Sequence, residues 1–143
     1  MKLLTFQARR FAWRSHSRTL ADAQEGIVED AVEDAVVVFL HADAGDQEEA
    51  ACKRVFRHTL KHVKWLANKR EMRTVVLHSF THLGAQNAEP DFARDFIDRL
   101  AGRLRDTGYD VRTTPFGWFC AWDLSVYGDS LAKVWKEVGP ELS

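Results

Sequence analysis

Few residues in this chain have the types and placement that chemistry needs. His82 falls in the segment His78-Ser79-Phe80-Thr81-His82-Leu83-Gly84, just past an apolar run at 75–77. In an α/β protein the loop beyond the C-terminal end of a parallel strand is where ligand sites form. A loop histidine there can move a proton or hold a substrate by a hydrogen bond, or it can simply anchor its own loop. The pattern leaves both open. Cys120 would need a partner base and a depressed pKa to act as a nucleophile. Its place on one face with Trp118 and Trp122 favours a buried small apolar side chain instead. His58 and His62 are four residues apart, a spacing that can grip a metal ion. They stand among Arg57, Lys61 and Lys64 with no carboxylate between them, and a metal site needs more ligands than a pair. They are read as part of a solvated basic face that includes Lys53, Arg54, Lys69 and Arg70. That face can meet phosphates or only water. No Gly-rich phosphate loop, nucleophile elbow or paired zinc-type cysteines occur.

The stretch Thr114-Pro115-Phe116-Gly117-Trp118-Phe119-Cys120-Ala121-Trp122 is the most aromatic in the chain. Pro115 cannot serve as a central rung of a sheet, because it has no N–H to donate. Gly117 allows a backbone shape, or a close approach, that side chains resist. From there Trp118, Cys120, Trp122, Leu124 and Val126 alternate with Phe119, Ala121, Asp123, Ser125 and Tyr127, the period of a strand. The segment is either core punctuation or the floor of a pocket.

The elements that must position these residues follow from periodicity. Residues 2–7 read as a strand, and 11–16 as a second strand hairpinned onto it across Arg9-Arg10. Residues 18–30 lose the pattern and read as a loop. The continuous apolar run at 36–40 predicts a strand buried on both faces. Asp46 is placed to cap a helix over 47–68, whose stripe is Ala51, Val55, Thr59, Val63 and Leu66. A strand over 73–80 completes a right-handed βαβ unit. Pro90 opens a second helix with the stripe Phe92, Phe96, Ile97, Leu100 and Leu104, closed by Gly108. Residues 109–114 read as a strand forming an antiparallel hairpin with the aromatic strand, and 131–138 as a short terminal helix. The fold class is α/β: one domain over 1–143, with a mixed sheet and two main helices.

Composition sets the bounds. In 143 residues the chain is 45% hydrophobic and 29% charged, with a net charge of -1. That is globular and carries no global basic field to announce a nucleic acid. Two cysteines and an N-terminal apolar run too short for export or insertion predict a soluble cytoplasmic protein with free thiols and no membrane partner.

The ordered set Phe80-Thr81-His82-Leu83, Pro90, Gly108-Tyr109-Asp110-Val111, Pro115-Phe116-Gly117-Trp118-Phe119 and Gly128-Asp129-Ser130-Leu131-Ala132 resembles the N-terminal editing domain of archaeal-type threonyl-tRNA synthetases. That domain is related in fold to D-aminoacyl-tRNA deacylases. The resemblance spans nearly the whole chain and is firmest over 74–131. It implies a free-standing, trans-acting hydrolase that removes serine wrongly esterified to threonine tRNA. The substrate's own ribose hydroxyl and an ordered water would do the chemistry, with no metal, cofactor or covalent enzyme intermediate. It implies that Thr81 and His82 face the aminoacyl group, beside Phe80. Pro115, Phe116, Gly117, Trp118 and Phe119 would wall the terminal adenosine. The family carries a lysine where this chain has Cys120, an acidic residue where it has Lys133, and His-Pro at 129–130. The family's lysine and acidic side chain help hold substrate and water there, so Cys120 and Lys133 stand at expected substrate-binding positions, and Lys133 could reach the space the missing lysine leaves. The alternative reading is therefore a module of weakened or absent catalysis that binds a tRNA 3′ end, a small ligand or a synthetase partner. A third is a hydrolase of another small ester or of D-aminoacyl-tRNA. The resemblance also implies a homodimer, for which the apolar sheet face carrying Trp13, Trp118 or Trp122 could supply the interface.

Overall fold

A computed structural model describes residues 1–139. Strand β1 (Lys2–Arg18) leads into β2 (Glu29–His41), helix α1 (Glu49–Lys69), β3 (Thr74–Ser79), helix α2 (Pro90–Asp106), β4 (Asp110–Thr113), β5 (Trp118–Val126) and β6 (Lys133–Glu137). The sheet order is β4-β3-β2-β1-β5, and β6 also pairs with β1. The βαβ unit expected from the sequence is present as β2-α1-β3, with its strands parallel. Val36, Val38 and Leu40 face the helices, and Val37 and Phe39 face the other way. This strand is buried on both sides, as its unbroken apolar run requires.

The two expected N-terminal strands are one. Arg9-Arg10 is not a turn, since it offers none of the residues that turns use, but a bulge. Ala8 stands opposite Val126 and Arg10 opposite Ser125, leaving Arg9 unmatched. The bulge shifts the alternation by one residue. Before it Leu3 faces the helices, and after it Phe11 and Trp13 join the opposite core. At the same level on β2, Asp34 takes φ 49°. Its carboxylate accepts a hydrogen bond from the Tyr127 hydroxyl, and the Tyr127 ring lies beneath the guanidinia of Arg9 and Arg70.

Here the β1–β2 ribbon folds back over its own sheet. In register, Phe39 stands opposite Leu4 and Trp122 opposite Trp13. That offset along β1 is about 30 Å for a straight strand, yet the two rings lie 5.3 Å apart. The fold-back also corrects two expectations. Trp13 is 3% exposed, stacked on Phe11, so it cannot supply a subunit interface. The expected loop over 18–30 gives its last residues to β2.

Two further expectations fail for topological reasons. β4 does not hairpin with β5. It follows a second crossover, β3-α2-β4, and lies parallel to β3 at one edge, while β5 pairs antiparallel with β1 at the other. Residues 114–117 therefore cross the molecule. Residues 131–138 are not a helix but a short 3-10 turn, Ser130–Ala132, followed by β6, because the free edge of β1 over Lys2–Phe6 offers backbone partners. Asp46 does not cap α1 either. Its carboxylate is buried, accepting from the Asp43 N–H and paired with the Met1 amino group. Glu48 caps α1, accepting from the Ala50 and Ala51 N–H groups. Among the described residues, no helix is long and apolar enough to cross a membrane.

Gly117 makes the crossing possible. It takes φ 82°, and a Cβ there would sit 3.0 Å from the Ala23 Cβ and 3.2 Å from the Leu20 Cβ. Its carbonyl accepts from the Thr19 N–H at 2.7 Å and the Leu20 N–H at 3.3 Å. Gly117→Ala is expected to lower the unfolding free energy by about 1–3 kcal/mol. Denaturant midpoints read this directly, and an unchanged midpoint would mean that the crossing relaxes without strain.

Candidate functional site

The fold-back creates a pocket of about 440 Å³ where three segments meet. One is the end of β3 with the loop after it, the second is the 114–117 crossing, and the third is the first half of β5. Of the residues expected at the site, Phe80, Thr81, His82, Pro115, Phe116, Gly117, Trp118, Phe119 and Cys120 all line it. Lys133 does not. It lies on β6, where its ammonium donates to the Gly128 carbonyl. Trp122, Thr19, Leu20, Asn87, Pro90, His78 and Thr114 also line the pocket.

The loop carrying Thr81 and His82 is held by backbone and by a buried histidine that sequence reasoning missed. The Phe80 N–H donates to the Leu40 carbonyl and the Ala88 N–H to the Ala42 carbonyl. Between these points His41, fully buried, accepts from the Leu83 N–H through Nδ1 at 3.1 Å. That bond fixes the tautomer: Nε2 carries the hydrogen and donates to the Gln86 carbonyl at 2.9 Å. One imidazole thus ties both limbs of the loop to the end of β2. Its signal in the sequence was a polar residue directly after the apolar run at 36–40. His82 itself is exposed, its ring 5.0 Å from Phe80 in an edge-to-face arrangement.

His78 is the second missed residue. It lies under the pocket, 5% exposed, against Phe39 at 4.9 Å, and shares a 2.8 Å hydrogen bond with the Thr114 hydroxyl. Burial pushes its pKa from the ordinary 6.5 down to about 4, so it is neutral at physiological pH. It therefore braces the start of the crossing rather than carrying charge into the pocket. Half-burial raises the Cys120 thiol above its ordinary value, which keeps it protonated and a poor nucleophile. Phe119 and Trp122, 56% and 41% exposed, both line the pocket. Arg94 from α2 lies over Phe116, 4.9 Å from the ring centre.

The structure corrects one reading of α1. His62 is not on a solvated face. It is 7% exposed, its Nε2 3.4 Å from the Thr5 hydroxyl, and burial together with Lys136 lowers its pKa to about 4. Among the described residues no group of three or more His, Cys, Asp or Glu could hold a metal ion. The pocket can bracket a planar apolar group between aromatic rings and present Thr81 and His82 to whatever that group carries.

The archaea-specific editing domain of threonyl-tRNA synthetase matches residues 1–138. The threonine–tRNA ligase of Methanopyrus kandleri is 30% identical over 142 residues, covering 99% of this chain and 22% of the ligase. That of Staphylothermus marinus is 30% identical over 142 residues, covering 96% and 22%. The chain thus spans about a fifth of the length of these relatives. A solved structure titled c-Myc DNA Unwinding Element Binding Protein superposes with a TM-score of 0.68 at 13% identity, covering 96% of this chain and 99% of that one. This likeness shows the fold, a single α/β domain of the D-aminoacyl-tRNA deacylase type with a curled mixed sheet and two helices.

The neutral, buried His78 sets a pH dependence. The unfolded chain accepts a proton below about pH 6.5, whereas the native state refuses it until about pH 4. The stability this group contributes is whole above pH 6.5 and declines as pH falls toward 4, by up to about 3 kcal/mol. His78→Gln is expected to flatten part of that decline in melting temperature between pH 6.5 and 4. Superimposable pH profiles for the two proteins would assign the acid sensitivity elsewhere.

Proposed function

This chain belongs to the archaea-specific editing-domain family of threonyl-tRNA synthetase, and from that premise we propose that it hydrolyses misacylated tRNA in trans, with Ser-tRNA(Thr) as its substrate. The observation that carries the reading is the convergence of the Thr81–His82 loop with the exposed Phe119 and Trp122 rings in one pocket. A terminal adenosine stacks on the aromatic faces at about 1–3 kcal/mol per base, and its aminoacyl ester then points to the His41-anchored loop. A water oxygen adds to the ester carbonyl carbon, and the tetrahedral centre collapses by breaking the bond to the ribose oxygen. That oxygen takes up the proton the water loses, relayed by the neighbouring ribose hydroxyl. The ester is already activated, so orientation of water and carbonyl supplies much of the rate. Thr81 and His82 hold and polarise the reacting groups, and no protein nucleophile is required, in keeping with a protonated Cys120.

Cys120 also supports a second reading. The position faces the pocket yet carries neither charge nor a strong hydrogen-bond donor, which suits a module that binds the tRNA end, or a synthetase partner, with weak catalysis or none. One assay separates the two. Release of serine from Ser-tRNA(Thr) by the purified chain is expected to exceed buffer hydrolysis, and no turnover by folded protein would leave only the binding module. His82→Ala is expected to lower kcat about 100-fold or more. Phe119→Ala is expected to raise KM by roughly 5- to 150-fold, the equivalent of removing one base stack. A panel of other aminoacyl-tRNAs, D-aminoacyl-tRNA included, tests the substrate assignment.

A homodimer belongs to the same reading. Among the described residues, the outer edge of β5 has no strand partner, and an unpaired edge is a template for a second copy. Sedimentation at micromolar concentration is expected to give twice the chain mass, and a monomer would remove this part.

A further inference from the structure

Outside the pocket, two other tryptophans stand open to solvent: Trp65 on α1, 44% exposed, and Trp135 on β6, 55% exposed. They flank a hollow also lined by Lys61 and Lys136. A second hollow shares Lys61 and Trp65 and adds Arg57 and Lys64. Neither lining contains a carboxylate, although the chain as a whole has 21 acidic and 20 basic residues. The positive charge is therefore segregated here rather than following from composition. Arg57, Lys61, Lys64, Trp65 and Asn68 fall at helical spacing on one stripe of α1, and the Lys69 ammonium lies 5.8 Å from the Trp65 ring centre. Buried His62 beneath them is neutral, so it adds nothing to the charge that Arg57, Lys61, Lys64 and Lys136 bring to the face. No residue of α1 or β6 lines the pocket, so the two surfaces are separate.

Clustered cations match the closely spaced phosphates of an RNA backbone, and the indole rings between them can pack against its riboses and donate their N–H groups to phosphate or 2′-hydroxyl oxygens. We propose that the α1–β6 face centred on Lys61, Lys64, Trp65, Trp135 and Lys136 binds the phosphate backbone of the helical stem of the tRNA whose 3′ end occupies the pocket. The face supplies affinity and orientation but no sequence discrimination. The pocket alone grips a short single-stranded end, and the face adds interactions that only a longer RNA can reach. This inference rests on the pocket's role as the site of the 3′ end.

The test compares two probes, a full-length deacylated tRNA and a single-stranded oligonucleotide ending in cytosine-cytosine-adenosine, by fluorescence anisotropy over a salt series. The triple variant Lys61→Ala, Lys64→Ala, Lys136→Ala is expected to weaken tRNA binding at least about tenfold. It should also reduce the slope of log affinity against log salt by about 2 to 3, roughly one for each phosphate no longer neutralised. Oligonucleotide binding should be unchanged. Trp65→Ala with Trp135→Ala should weaken the tRNA selectively with little change in salt slope. Equal tRNA affinity and slope for triple variant and parent would overturn the proposal, as would parallel weakening of both probes. Sedimentation showing that the tryptophan variant dissociates a dimer would also overturn it, assigning the face to a second copy. If the parent hydrolyses no aminoacyl-tRNA while the triple variant still weakens tRNA selectively, the hydrolytic reading of the pocket fails and the stem-binding face stands.

Discussion

Everything at the site depends on the fold-back of the β1–β2 ribbon. A sheet running straight from Lys2 to Arg18 would leave Trp118 and Trp122 far from Phe39 and His78, and the four-residue crossing 114–117 could not reach. The bulge between Ala8 and Arg10, opposite the left-handed Asp34, bends the ribbon across its own sheet. Bulges raise local twist and re-aim the strand beyond them. Burial then rewards the bend: Phe11, Trp13, Phe39 and Val76 close a second core with no helix in it. At about 25 cal/mol per Å² of apolar surface removed from water, several large rings outweigh the local cost of one irregular rung.

Around that bend the histidines divide the work by environment. His41, fully buried and bonded at both nitrogens, anchors a loop to the end of β2. His78, buried against Phe39 and neutral, braces the crossing through Thr114. His82, exposed on the anchored loop, lines the pocket with neither nitrogen position fixed by burial. A reacting group gains from orientation only when its support is rigid, and two fixed imidazoles beside one exposed one meet that condition.

The molecule presents two unlike surfaces. The pocket mouth is apolar and aromatic, framed by the 114–117 crossing. The α1–β6 face is cationic, with open tryptophans at its edges. Such separation keeps an apolar contact surface and an electrostatic one apart on a single small domain.

The chain's periodicities determined both helices, the doubly buried β2 and the first parallel crossover, because these depend on local spacing and unbroken apolar runs. They left the 80–82 loop and the 115–120 segment open between packing and function, and the family resemblance joined the two in one site, whose residues do meet in the pocket. What failed was pairing. Residues 2–18 read as two strands because a bulge leaves no Gly or Pro to mark it, and β4 and β5 read as a hairpin because adjacency in sequence mimics adjacency in a sheet. β6 reads as a helix because its partner, the edge of β1, lies at the far end of the chain. The roles of His41 and His78 escaped the sequence for the same reason, since they are set by hydrogen-bond partners distant along the chain, even though His41 stands out as a polar residue after the apolar run. Lys133 lies outside the pocket lining, because the edge of β1 draws it into a strand elsewhere. Local order was written in the sequence, whereas which strands meet was decided by competition for burial and backbone partners across the whole chain.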